Sequence, residues 1–380
     1  MTVTALKMLF GDRAKLLGLV LGVAFATLLV AQQTSLFIGL MTRSQNVIAE
    51  ITAADIWVMD PLTEHVDLNR PIRDLALHKV RGVSGVEWAQ PLLKGSTVVR
   101  SGSGILRNAL LIGVDDASLT GLPQRFVMGS AADLRRPDAV AIDRAGYLAL
   151  WPGEPLETGR ELELNDRRAV VVAITDALPA FSAQAIIHTR YSQGLGYFPF
   201  SRNHLSYVLA RAAPGHAPHA VAGEIARQTG LKALAAESFS RQTVDYYLHK
   251  TGIPANFATT ITLGLIVAAA IVGLVFHAFV TDSLKQFAAL KVVGADDRTI
   301  ALMVLSQVGI AGAIGYAFGI GLAALFFELA CGPASALRGM ILPWWVAIGT
   351  GAILAAIILL ATSLSLHRVV AADPAAVLRS

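Results

Sequence analysis

Few residues in this 380-residue chain are arranged for covalent chemistry. It has no GxxxxGK(S/T) loop to cradle nucleotide phosphates, no HExxH pair for zinc and no GxSxG elbow. His216 and His219, in GHAPH, have a spacing that could suit a metal. They sit in a Pro/Gly turn without a companion Cys or carboxylate, so no metal site is expected. Cys331 has no partner for an intramolecular disulfide and reads as a small apolar residue near a helix end. No catalytic residue and no directly bound cofactor is expected. The residues that stand out serve docking instead. In TDSLKQFAALKVVGADDRTI (281–300), Leu284, Phe287 and Leu290 line one helical edge, while Lys285 and Lys291 keep the other side polar. Gly294 stands where a helix ends in a left-handed turn, and Asp296 can cap the next helix.

The elements that position this edge are apolar. Residues 16–42, 251–281, 299–327 and 339–367 hold no formal charge. Each window exceeds the roughly 20 residues that cross a ~30 Å hydrocarbon core. The chain is 54% hydrophobic. These windows predict a membrane α-helical fold of four transmembrane helices. A cleaved signal peptide is the rival reading of the first window, with AFA at 24–26 as its cleavage site, but the apolar run continues well beyond it. No charged residue occupies mid-window, and His277 lies near a window end, so no ion or proton relay is spelled out. Ala311, Gly315, Gly319 and Ala323 recur every fourth residue, a stripe for close helix packing within one subunit or across a dimer.

Charge sets the expected topology. Lys7, Arg13 and Lys15 flank the first window, Lys285, Lys291 and Arg298 separate the second and third, and Arg368 and Arg379 follow the fourth. The loop between the third and fourth carries Arg338 alone. The positive-inside rule then puts both termini and 282–298 in the cytoplasm, and 43–252 outside. The expected order is a cytoplasmic amphipathic segment (1–15) and crossings 16–42, 253–281, 299–327 and 341–367. An external loop (328–340), a coupling helix (282–298) and a cytoplasmic tail (368–380) complete it.

The external segment reads as α+β, in two lobes. ADIWVM, STVVR, ALLIGV, AVAID, AVVVAIT and SYVLAR are strand-like, while IRDLALHKV and HAVAGEIARQTG are helix-like. SQGLGYFPFSRNH reads as a loop with exposed aromatics. With 22 Lys+Arg against 21 Asp+Glu over 43–250, the segment is nearly neutral and shows no nucleic-acid footprint.

KQFAALKVVGADDRTIALMV resembles the cytoplasmic loop of MacB/FtsX-type ABC transporter permeases, and HRVVAADPAAVLRS resembles their closing DPAxxLR signature. LHKVRGVSGVEWAQPLL, NALLIGVDD and AVAIDRAGYLALW resemble their periplasmic domain, so the resemblance spans nearly the whole chain. The wording AALKVVG and ADPAAV leans toward DevC-like and haem-exporter-like members. The resemblance implies a homodimer in the bacterial inner membrane, in contact with lipid. A separate ABC ATPase subunit would use ATP and Mg below it, and a periplasmic membrane-fusion adaptor could join outside. It also implies mechanotransmission, in which ATP closure moves the external domain to extrude a hydrophobic or amphipathic substrate. The alternatives are an FtsX-type scaffold activating an external cell-wall hydrolase, which usually has a smaller external domain, and a membrane sensor without an ATPase.

Overall fold

The computed structural model describes residues 10, 13–181, 185–198, 204–292, 294, 296–332, 335 and 337–371. At 14–15, 204, 275–277, 279–292, 297 and 364–371 it describes the backbone alone. The expected amphipathic start and the DPAAV motif fall outside these residues, save for part of the first.

Among the described residues the helices, in chain order, are α1 (Arg13–Glu50), α2 (Leu75–Arg81), α3 (Arg144–Leu150), α4 (Tyr191–Tyr197) and α5 (Pro218–Thr229). They continue with α6 (Ala236–His249), α7 (Ile253–Val292), α8 (Asp297–Ala330) and α9 (Trp344–Ala371). The chain divides into two compact units. One holds the chain up to Ile38, Pro254–Leu329 and the chain from Met340; the other holds Gly39–Ile253 and Ala330–Gly339.

Four helices, α1, α7, α8 and α9, are long and apolar enough to cross a membrane. In the membrane unit Leu19, Val23, Val272 and Ala311 form one buried cluster, and Ala26, Ala268 and Leu354 another. Gly315 and Gly319 let α8 approach α1 closely. A Cβ on Gly315 would lie 2.8 Å from the Val20 carbonyl oxygen, and one on Gly319 only 2.5 Å from that of Ala24. Leu263, Leu274, Leu302 and Leu360 point outward, as lipid-facing side chains must. Trp344 and Trp345 are exposed on the first turn of α9, where an aromatic pair suits the membrane–water boundary.

The other unit is built on strands β1 (Ile56–Met59), β2 (Ile72–Arg73), β3 (Val86–Ser101), β4 (Leu106–Val114), β5 (Phe126–Met128) and β6 (Ala139–Asp143). It adds β7 (Glu161–Leu164), β8 (Arg167–Thr175), β9 (Ala185–Arg190), β10 (His204–Leu205), β11 (Tyr207–Ala212) and β12 (Lys232–Ala235). Ten of these form a mixed sheet in the order β12-β1-β11-β3-β4-β9-β6-β8-β5, with β7 bridging β3 and β8. The fold is thus four membrane-type helices with a mixed α/β sheet domain.

One long strand joins two half-sheets. Val86–Leu92 of β3 pairs with β11, and from Leu93 the same strand pairs with β4. The first half buries Ile56, Val58, Val208 and Ala210 against α2 and α5. Its other face packs Trp57 and Tyr207 with Phe239 of α6, Val47 and Ile48 from the end of α1, and Ile51 just beyond it. The second half buries Leu111, Ile142 and Ile187 against Tyr147, Leu150 and Tyr197 of α3 and α4.

Several boundaries differ from expectation. α1 continues to Glu50 because its last turns bury Val47 and Ile48 in the domain core instead of ending at residue 42. Residues 282–292 of the expected coupling helix (282–298) are the continuation of α7, which ends at Val292. Tyr191–Tyr197, expected as loop, is helical, since its glycines allow close contact: a Cβ on Gly194 would meet Leu93 at 3.0 Å.

Candidate functional site

The coupling residues Leu284, Lys285, Phe287, Leu290 and Lys291 lie on the backbone of α7, where side chains are outside the described set. Just beyond the end of α7, Gly294 is exposed with φ +99°, a conformation natural to glycine and strained for side-chain-bearing residues. Asp296 then caps α8: its Oδ1 accepts the Thr299 backbone N–H at 3.1 Å and also the Thr299 hydroxyl. The Thr299 hydroxyl bond holds the Asp296 carboxyl below its ordinary value. Thus 253–292 and 297–330 are two helical rods separated by four residues.

The small-residue stripe has a definite address. Ala311 and Ala323 are fully buried, and Gly315 and Gly319 meet Val20, Val23, Ala24 and Thr27 of α1. The face packs against a helix of the same chain, so the contact it makes is a seam within the subunit.

His216 is exposed in the turn before α5, and His219 is exposed on the first turn of α5 itself. Among the described residues no group of three or more His, Cys, Asp and Glu is placed to hold a metal.

Two polar clusters escaped sequence reasoning. Lys94, 3% exposed on β3, donates to the Val66 carbonyl (3.0 Å) and to Asp67 (2.7 Å). The Tyr247 hydroxyl donates to Asp67 (3.2 Å), and that of Tyr207 to Val66 O (2.8 Å); burial raises the pKa of both phenols. This network pins residues 63–69 onto the sheet and is structural. The second joins Arg338 to Asp143. Its sequence trace was Arg338 itself, a lone cation in a loop expected outside.

Two family models match. Residues 16–228 match a MacB-like periplasmic core domain, and 258–374 an FtsX-like permease C-terminal region. The first alone covers more than half of the sequence. The chain belongs to the MacB/FtsX-like permease family. That family comprises membrane subunits of ABC transporters, which are not themselves enzymes, and it implies an ABC ATPase partner.

Solved structures similar to this permease include the extracellular domain of the noncanonic ABC-type transporter YknZ from Gram-positive bacteria. Identity is 13%, with 48% of this chain and 98% of that one covered and a TM-score of 0.36. The periplasmic region of MacB from Actinobacillus actinomycetemcomitans gives 13% identity, coverage of 52% and 95%, and a TM-score of 0.39. A domain of a putative permease protein from Porphyromonas gingivalis gives 18% identity, coverage of 49% and 89%, and a TM-score of 0.33. No curated protein matches the permease.

Proposed function

We propose that this permease is a mechanical transducer. A separate ATPase subunit grips residues 284–291 from the cytoplasm, and its ATP-driven closure is delivered to the external domain. The observation that carries this reading is the length of α7. Its 40 continuous residues make a rod of about 60 Å at 1.5 Å per residue. That is twice the ~30 Å hydrocarbon core, so the helix must extend beyond the bilayer while remaining one piece. An edge at Leu284, Phe287 and Leu290 carried on such a rod passes on a push, because bending it would break backbone hydrogen bonds.

In this reading the chain lies in a bacterial inner membrane with both termini cytoplasmic, and it works as a homodimer whose seam uses a face other than the Gly315/Gly319 stripe. ATP and Mg stay with the partner, and no cofactor binds the permease itself. Motion of the external domain extrudes a hydrophobic or amphipathic substrate or passes it to a periplasmic adaptor. Transmission is supported over passage through the bilayer by the lack of charge along residues 16–42, 251–281, 299–327 and 339–367. The leaning toward DevC-like or haem-exporter-like members rests on sequence wording alone.

The test is the double substitution Phe287→Asp with Leu290→Asp. An apolar edge pressed into a partner groove does not tolerate two carboxylates. Membrane insertion should be retained, while co-purification with the ATPase and activity are lost. Wild-type binding in that variant would rule the coupling role out. Activation of a cell-wall hydrolase without any extruded compound would favour the scaffold alternative.

A further inference from the structure

The α8–α9 loop carries one cation, Arg338, on the side expected to face outward, where short loops normally carry few. Its guanidinium is not given to water. The Arg338 side chain is 13% exposed and pairs with Asp143, whose carboxylate is fully buried. Asp143 has further duties. Its Oδ1 accepts the Gly146 backbone N–H at 3.3 Å and that of Ile186 at 2.6 Å, while Oδ2 takes Arg338. One carboxylate therefore ends β6, caps α3 and fixes the start of β9.

The loop is also held at its backbone. Arg43, near the outer end of α1, donates to the Arg338 carbonyl, and Arg338 N donates to Ser335 O at 3.2 Å. Gly339 has φ +72°, and a Cβ there would touch the Pro179 ring at 3.4 Å. The Pro179 carbonyl accepts from Asn46 (2.8 Å), and Leu178 N–H donates to Glu50 (2.7 Å). Loop, α1 end and the β8–β9 connection meet around one buried charge pair.

We propose that Arg338 and Asp143 form a clasp fastening the α8–α9 loop to the second half-sheet, so that a pull on the loop reaches β6, α3 and β9. The inference rests on reading the chain as a mechanical permease. A buried ion pair adds little net stability over an apolar pair of the same shape, but it strongly resists separation of its two members. That is the property a tether needs. An apolar contact between Ala, Leu and Pro side chains could slide; a guanidinium held by a carboxylate that also caps a helix cannot shift without unpairing three donors. Arg338 and Asp143 are here positioning residues, and the chain connectivity makes the loop an attachment additional to α1 and α7.

The experiment is hydrogen exchange of the full-length chain in detergent micelles, with no ATPase present. In Arg338→Gln, the amides of Gly146 and Ile186, distant in sequence from the substitution, should exchange at least tenfold faster, as should that of Arg338's own position. Trp57 and Leu209, in the first half-sheet, should be unchanged. Arg338→Lys, which keeps the charge, should recover most of the protection. Asp143→Asn keeps an acceptor oxygen for Gly146 and Ile186 yet removes the carboxylate charge, and it should loosen the 335–339 amides likewise; it decides the matter where the Gln variant does not fold. Unchanged exchange at Ile186 and 335–339, a uniform rise that includes Trp57 and Leu209, or Lys behaving like Gln would overturn the clasp. Because no ATPase is present, such a failure leaves the coupling role of 284–291 untouched, and failure of that role leaves the clasp standing.

Discussion

His188 sits on β9 between β4 and β6, 1% exposed, with no hydrogen-bond partner for its Nδ1. Burial pushes its pKa down to about 3, so the folded domain holds it neutral. The folded value lies below the unfolded one, so as pH falls the unfolded chain takes up the proton first. The stability is therefore complete above the ordinary histidine pKa of about 6.5 and is lost on acidification toward the folded value. At pH 5 the loss amounts to about 2 kcal/mol, at about 1.4 kcal/mol per pH unit. Chemical denaturation at pH 7 and pH 5 should show this fall, and His188→Leu should remove most of it. A smaller slope of the same sign should remain from His65, whose pKa burial also lowers. The carboxylates of Glu64, Asp133 and Glu161 are lowered by hydrogen bonds to Lys250, Ser130 and Arg168 respectively. Their contributions disappear only below the usual carboxylate range of about 4, outside this window. An equal pH dependence in wild type and His188→Leu would show that the imidazole takes up its proton as readily in the fold as in the unfolded chain.

At the scale of elements, the α8–α1 seam makes a contrast within one helix. Gly319 meets Thr27 and the Ala24 carbonyl, whereas a Cβ on Gly321 would meet nothing within 4 Å. Gly319→Ala should thus force the helices apart and cost about 1–3 kcal/mol as overpacking. Gly321→Ala should be neutral or slightly stabilising, since alanine is the better helix former. Thermal unfolding of both variants in detergent checks this, and equal behaviour would remove the seam. The small-residue spacing was legible in the sequence because it follows the helical repeat, but its partner was not, since any helix with a matching face could have filled it. The same division holds elsewhere. Charge-free windows mark membrane crossings because desolvating a charge is costly, yet α1 and α7 outrun their windows, because a helix continues wherever its next turns find a surface or simply no breaker. Single strands such as AVAID were readable from their β-branched runs and bounding residues. The change of partner along β3 was not, since it depends on β11 lying more than a hundred residues away. Asp143 read only as the end of a strand; its burial with Arg338 joins positions 195 residues apart in sequence.

At the scale of the whole molecule, the expected topology rests on the sidedness of its charges. Four crossings place the N-terminus, 282–298 and the C-terminus on one side, where Lys and Arg cluster, and the large sheet domain on the other. Arg338 is the cation of the short outer loop, and its pairing with Asp143 leaves that loop without a free positive charge to oppose the topology. Trp344 and Trp345 on the first turn of α9 suit the external boundary in the same arrangement. Single-cysteine labelling tests it, with Cys331→Ser as the background because the native thiol is partly exposed. Ser44 would be a poor reporter, since it is 1% exposed and its hydroxyl donates to the Met41 carbonyl. Ser103, exposed at the tip of the β3–β4 hairpin, is the better external site. Ser103→Cys should react in intact cells with a membrane-impermeant maleimide, while Ser283→Cys and Ser380→Cys should react only after the membrane is opened. Reaction of position 283 in intact cells would put the 284–291 edge outside, beyond the reach of any cytoplasmic ATPase. The coupling role would then fall together with the topology, whereas the Arg338–Asp143 pair would stand, because it is formed within the sheet domain whichever side that domain occupies.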